Sequence, residues 1–117
     1  MTNEIFSLVP KNVKKIKTKY REIKTHIPSK KTISLLKKIK NIESRSMHGQ
    51  LPIVWDKAEN FQVMDISGNK WIDFSSTIFV ANAGHGNKKI SNALIKTIKK
   101  PLLTTYSYVQ KERVNYI

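Results

Sequence analysis

The 117-residue chain contains no cysteine, which excludes disulfides, thiolate metal sites and a cysteine nucleophile. Arginine is nearly as scarce: of 22 basic residues only Arg21, Arg45 and Arg113 are arginines. Bidentate recognition of phosphates and base edges favours arginine, so the composition argues against nucleic-acid reading. No apolar run approaches the roughly 18 residues of a membrane span, and "MTNEIFSLVPKNVKK" lacks the order of charge then apolar core of a signal peptide. A cytoplasmic protein is expected. His26, His48 and His85 are too scattered for a zinc site, and nothing accompanies them at ligand spacing.

Lysine fills the space these absences leave. The net charge is +14, with +10 in residues 1–50 and +4 in residues 51–117. A basic lead of this kind is either a solvated face or a docking surface for anionic membrane or nucleic acid. Hydrophobic residues make up 39% of the chain, enough for one compact domain with a thin core.

In "VPKNVKKIKTKYREIKTHIP", Val13, Ile16, Tyr20, Ile23 and Ile27 recur at steps of three and four, which predicts a basic amphipathic helix near residues 11–26. Pro28 forces its stop. A second helix is expected from about Lys31 to Glu43, with Leu35, Ile39 and Ile42 on one stripe and Ser29 or Thr32 available as cap. Near Gly49 the texture changes, and short strands are expected at Ile53–Trp55, Phe61–Asp65 and Lys70–Phe74. Asp65 followed by Gly68 fits a type I turn. "NKKISNALIKTIKK" predicts a helix with Asn87 as cap and Ile90, Ala93, Leu94 and Ile98 on one face, ending before Pro101. "QKERVNYI" opens a further helix that stops in mid-pattern at Ile117, as in a chain cut short.

Each candidate motif has an ordinary reading beside a functional one. "AGHGNKK" places Gly84 and Gly86 before a helix, where phosphate can bind. The stretch is neither GxGxxG nor a P-loop, so a tight loop-to-helix connection is the expected reading. His85 finds no nucleophile or carboxylate in its own stretch, which points to a hydrogen-bonded structural histidine. Asp73 reads as a lone carboxylate bonding nearby backbone. "SSTIFV" (Ser75 to Val80) is either a binding loop on a rigid scaffold or an apolar loop over the core.

An ordered set of features runs through residues 52–117: the apolar-Asp-x-x-Gly-Asn hairpin (Val63 to Asn69), the aromatic "WIDF", a serine-rich loop, "N-x-G-H", an amphipathic helix and a tyrosine-containing loop. This region resembles the N-terminal segment of the class III pyridoxal-phosphate-dependent aminotransferases. That family includes the ornithine, acetylornithine and 4-aminobutyrate aminotransferases and glutamate-1-semialdehyde aminomutase.

The resemblance implies an α+β segment of the α/β fold type I architecture, with residues 1–50 a basic helical extension and residues 51–117 the start of the enzyme. It implies that Ile78 lies at a position contacting substrate, that Tyr106 is a second pocket aromatic, and that Ser76, Thr77 and Phe79 flank the first. Thr77 stands where many members have Gly, and Asn87 and Lys88 replace a frequent His-Pro pair. The Schiff-base lysine, the phosphate-binding turn, the aspartate that pairs with the cofactor ring and the arginine that holds the substrate carboxylate all lie downstream of this segment in the family. The expectation is therefore a catalytically silent chain that joins the remainder of an aminotransferase, or a second subunit, around pyridoxal phosphate and an amino-acid substrate.

Overall fold

A computed structural model describes residues 6–44, 46 and 50–99. The chain divides into two compact units, Met1–Asn87 and Lys88–Ile117.

The first unit is built on an antiparallel sheet of five short strands: β1 (Ile16–Lys17), β2 (Glu22–Ile23), β3 (Trp55–Glu59), β4 (Gln62–Asp65) and β5 (Lys70–Ile72). Their spatial order is β1-β2-β5-β4-β3. The β4–β5 hairpin forms the centre, with Val63 opposite Trp71 and Met64 opposite Lys70. β2 joins it through Glu22 opposite Lys70, an opposite-charge pair that suits adjacent strands. β3 closes one edge and is exposed along its whole length. Asp56, Lys57 and Glu59 make it a charged edge, and a register irregularity between Trp55 and Lys57 interrupts its pairing; both features discourage further strand addition.

The helix expected over residues 11–26 does not form. Thr18 N–H donates to Arg21 O at 2.8 Å, which turns β1 back on β2. Two physical terms favour this. Val13, Ile16, Thr18, Ile23, Thr25 and Ile27 are β-branched and fit a strand better than a helix. A helix would also stack Lys11, Lys14, Lys15, Arg21 and Lys24 at spacings of three and four, where like charges repel. The strand form places Ile23 against the sheet at 3% exposure. The docking reading of the lead, which required that helix, loses its structural basis.

α1 (Lys30–Ile39) is the helix expected from about Lys31. Ser29 is its N-cap, with extended backbone and a side chain that accepts from Thr32 N–H at 3.2 Å. Lys37 and Lys38 occupy the last turn, where positive charge suits the helix dipole. The helix stops at Ile39, so Ile42 lies beyond it and is exposed.

The strand expected at Ile53–Trp55 instead begins at Trp55, and the third strand ends at Ile72, before Phe74. The turn between β4 and β5 is as read: Gly68 N–H donates to Asp65 O at 2.9 Å, and Gly68 has φ +81°, a conformation open to glycine.

The buried centre is more polar than apolar. Among the described residues, Ile23 and Val63 are the buried hydrophobic side chains, and Ser29, Thr32, Asp65 and Asn69 are buried polar ones. The Asp65 carboxylate accepts from Ser67 N–H, Asn69 N–H, Asn69 Nδ2 and Trp71 Nε1. The Ser29 and Ser67 hydroxyls bond to each other, which ties the start of α1 to the hairpin turn. Buried polar groups are tolerated because each has partners.

The first unit also holds the short α2 (Ser76–Phe79), and in the second unit α3 (Lys88–Ile98) is the helix expected before Pro101. Among its residues none is buried. On the expected apolar face Leu94 and Ile98 are more than half exposed and Ile90 nearly so, as is the neighbouring Ile95. The helix expected at "QKERVNYI", the boundary at Gly49 and Tyr106 lie outside the described residues.

Candidate functional site

The chain leaves β5 through Asp73, whose backbone N–H donates to Phe61 O at 2.9 Å. That bond holds Asp73 beside the β3–β4 turn. Its carboxylate then organises the loop that follows. Oδ1 accepts from Ser75 N–H at 3.1 Å and from Ser75 Oγ at 2.9 Å. Oδ2 accepts from Thr77 Oγ1 at 2.9 Å and from His85 Nε2 at 2.9 Å.

His85 reaches this position because its backbone pairs with Asn60. His85 N–H donates to Asn60 O at 2.7 Å, and Asn60 N–H to His85 O at 2.8 Å. Gly84 beside it has φ +84°, and a Cβ there would stand 3.4 Å from Asn60 Cα. Glycine thus permits both the turn and the close approach. The tight connection read from "AGHGNKK" is what the backbone shows.

The pair of Asp73 and His85 departs from the expectation that Asp73 is a lone carboxylate and His85 lacks an acidic partner. The side chains are 5% and 19% exposed. The His85 hydrogen bond is the strongest influence on Asp73 and, with those from Thr77 and Ser75, holds its carboxyl well below the usual carboxylate range despite the opposing effect of burial. An ionised carboxylate only accepts, so His85 Nε2 carries the proton of this bond. Twelve residues separate the two. Asp-x-Ser-x-Thr spacing at Asp73, Ser75 and Thr77 is the local signal that could have revealed the carboxylate as a loop organiser.

Between Asp73 and His85 lies α2 (Ser76–Phe79), a single turn. Ser76, Thr77, Ile78 and Phe79 have φ of 49, 51, 59 and 65°, so the turn winds left-handed. Such backbone costs roughly 1–2 kcal/mol per L-residue, and Ile78 is β-branched, which makes positive φ especially unfavourable. Phe79 N–H donates to Ser75 O at 2.9 Å and Ala81 N–H to Ser76 O at 2.8 Å. Ile78, Phe79 and Val80 are about four-fifths exposed, at 79, 78 and 83%. The loop is therefore not a cover over the core. Four of the five expected pocket residues, Ser76, Thr77, Ile78 and Phe79, share this turn, and Tyr106 lies outside the described residues.

An open cleft of about 290 Å³ adjoins the turn, its lining including Asn60, Phe61, Asp73, Ser76, Ala81 and His85. The cluster is not a nucleophile-activating relay. In such a relay the imidazole meets the carboxylate through one ring nitrogen and the hydroxyl through the other. Here the Thr77 hydroxyl donates to Asp73 and lies 3.4 Å from the same Nε2 that the carboxylate engages. Among the described residues no group of three or more metal-ligating side chains occurs.

A family model described as aminotransferase class-III matches residues 43–116. The chain is 41% identical over 58 residues to an ornithine aminotransferase of Bacillus cereus, covering 50% of this chain and 15% of that protein. It is 33% identical over 84 residues to 5-aminovalerate aminotransferase DavT of Pseudomonas aeruginosa, covering 72% of this chain and 20% of that protein. The crystal structure of an acetylornithine aminotransferase from Elizabethkingia anophelis superposes with a TM-score of 0.63 at 28% identity, over 73% of this chain and 21% of that one. The sequence thus spans about one fifth or less of these relatives, and its small antiparallel sheet with few helices matches part of a fold type I aminotransferase. With the family model covering more than half of its residues, the chain belongs to the class III aminotransferases.

Proposed function

We propose that this chain acts as the N-terminal segment of an aminotransferase, supplying wall to the substrate pocket and surface to a subunit contact, and that it does not transaminate alone. The observation that carries this reading is the family match over residues 43–116. Within that stretch the turn Ser76–Phe79 presents Ile78 outward from a braced backbone. Ile78 contacts substrate in this reading, Ser76, Thr77 and Phe79 flank it, and Tyr106 adds a second aromatic wall. The whole enzyme moves an amino group from an amino acid to a keto acid or aldehyde. Its other components are the remainder of the aminotransferase chain or a second subunit. A cytoplasmic location belongs to the same proposal.

Class III aminotransferases use pyridoxal phosphate, which when bound supplies the amino-group carrier and electron sink. The residues described here do not fit that cofactor. It needs a lysine sheltered in a pocket, whose amine is activated by desolvation or a neighbouring charge. Among the described lysines none is buried, and the cleft beside Asp73 has no lysine in its lining. This segment's own contribution is positional, and no chemical step is assigned to it.

A chimera tests the proposal. The matched segment of the Bacillus cereus ornithine aminotransferase is replaced by the corresponding residues of this chain, and transamination is measured with a panel of amino donors. We expect the cofactor-loaded chimera to turn over and Ile78→Tyr to change donor preference about tenfold, the scale of a modest pocket contact. Donor preference that ignores Ile78 in a cofactor-loaded, active chimera defeats the pocket-wall role. Turnover by the 117-residue chain alone with added pyridoxal phosphate defeats the claim of silence.

A further inference from the structure

The turn Ser76–Phe79 requires an external hold. Thr77 and Ile78 are both β-branched, and both have positive φ and ψ near 55°, a region such residues avoid. Neither side chain is buried, so packing does not impose the conformation. The hydrogen bonds do, and they converge on one carboxylate.

We propose that Asp73 and His85 are positioning residues, which together hold the left-handed turn and so fix where Ile78 meets substrate. This rests on the reading of Ile78 as pocket wall.

The geometry has the parts a clamp needs. One jaw is anchored by Asp73 N–H on Phe61 O, and the other by the two backbone bonds between His85 and Asn60. Both anchors belong to the same tight connection between β3 and β4. Between the jaws the carboxylate uses two acceptor positions on each oxygen: Ser75 N–H and Oγ on Oδ1, Thr77 Oγ1 and His85 Nε2 on Oδ2. Ser75 and Thr77 bracket the start of the turn, so their bonds set its direction. His85 keeps the carboxylate charged and pointed at Thr77. Asn at position 73 would replace one acceptor oxygen by a donor, and whichever oxygen is lost, two of the four donors face an N–H group.

His85 offers a conservative rescue. Gln at position 85 can carry an N–H donor at about the reach of Nε2, whereas Ala removes it. Leu at position 85 fills a similar space without that donor, so a residue that only fills space would be rescued by Leu as well as by Gln, and a clamp by Gln alone.

The first arm of the test uses the full chain and solution NMR. Backbone shifts of Ser76 to Phe79 report the left-handed conformation, and the Val63 amide in β4 reports the sheet. His85→Ala and Asp73→Asn are expected to move the turn shifts away from left-handed values while Val63 stays in place, and His85→Gln to keep them. Left-handed shifts that persist in His85→Ala overturn the proposal. Should Asp73→Asn lose the Val63 signal as well, Thr77→Val removes one donor from Oδ2 and is read in the same way.

The second arm uses the active chimera. His85→Ala is expected to raise KM for the amino donor at least about tenfold with a smaller change in kcat, and His85→Gln to recover most of it, the signature of displaced substrate contact. Loss of kcat and cofactor content with KM unchanged overturns the positioning role. If instead the variants unwind the turn but Ile78 substitutions leave donor preference untouched, the pocket-wall reading fails and the hold on the turn stands.

Discussion

Asn69 Oδ1 accepts the backbone N–H of Lys24 at 2.8 Å, across 45 residues of sequence. The same oxygen accepts from Thr25 N–H at 3.2 Å, while Nδ2 donates to Thr25 Oγ1 at 2.9 Å and to Asp65 Oδ2 at 2.8 Å. Asn69 is fully buried, and its amide joins the basic lead to the β4–β5 turn. Asn69→Ala strands two backbone donors and part of the Asp65 carboxylate without partners. The two backbone donors are part-buried, so each costs toward the lower end of about 1–3 kcal/mol, and a loss of about 2 kcal/mol is expected in urea unfolding. Asn69→Asp should be no better, because it sets a second carboxylate against Asp65. An unchanged urea midpoint in Asn69→Ala would show that the lead is held by other contacts.

The low position of the Asp73 carboxyl fixes the sign of one pH effect. The folded chain binds its proton less readily than the unfolded chain, so the unfolded form takes up more protons on acidification. The stabilisation is complete about one unit above the ordinary carboxylate value, at about pH 5 and higher. It declines as pH falls through that range toward the depressed folded value, with His85 as the principal cause. Thermal melts from neutral pH into acid should show this decline, and Asp73→Asn should flatten it. A variant that keeps the full acid-dependent loss would assign that loss to another carboxylate.

The sequence exposed much of this fold and mislaid the rest for identifiable reasons. The Asp65–Gly68 turn, the Ser29 cap and the helix before Pro101 depend on neighbours within a few residues, and each appears as read. The lead failed because steps of three and four among Val13, Ile16, Tyr20, Ile23 and Ile27 do not exclude a strand pair. The choice was made by β5, which pairs with Glu22 from far downstream. Tyr20 shows the same dependence: its ring stacks edge-on against Phe61 at 5.3 Å between centroids, a contact no local period announces. At the site, Ser76, Thr77, Ile78 and Phe79 came from family resemblance. The partnership of Asp73 with His85 required the Asn60 bridge that brings the two together.

Thr77 offers a contest between two effects of similar size. Glycine relieves the cost of φ 51°, roughly 1–2 kcal/mol. It also removes the Thr77 Oγ1 bond to Asp73, worth about 0.5–1.5 kcal/mol or more to a charged acceptor, and frees the unfolded chain. Thr77→Gly should therefore lie close to the parent in stability. Thr77→Val keeps the unfavourable backbone and loses the bond, so it should be the less stable of the two by about 1 kcal/mol or more. Denaturant curves of the three proteins supply the ranking, and a Val variant as stable as the Gly variant would mean that the turn is not left-handed in solution.

The α3 helix leaves Leu94, Ile95 and Ile98 with 56, 53 and 65% of their surface in solvent. An amphipathic helix gains most of its stability from packing its apolar face, and a contiguous exposed patch favours association. The isolated chain should therefore self-associate, with the apparent mass in sedimentation rising with concentration. Lysine at positions 94 and 98 should suppress that association. A sharp cooperative thermal transition from a concentration-independent monomer would contradict this expectation and favour a self-sufficient module. Association that persists in the lysine variant would move its cause to the other exposed apolar residues, of which Phe74, Ile78, Phe79 and Val80 are the most solvent-facing near the Asp73 loop.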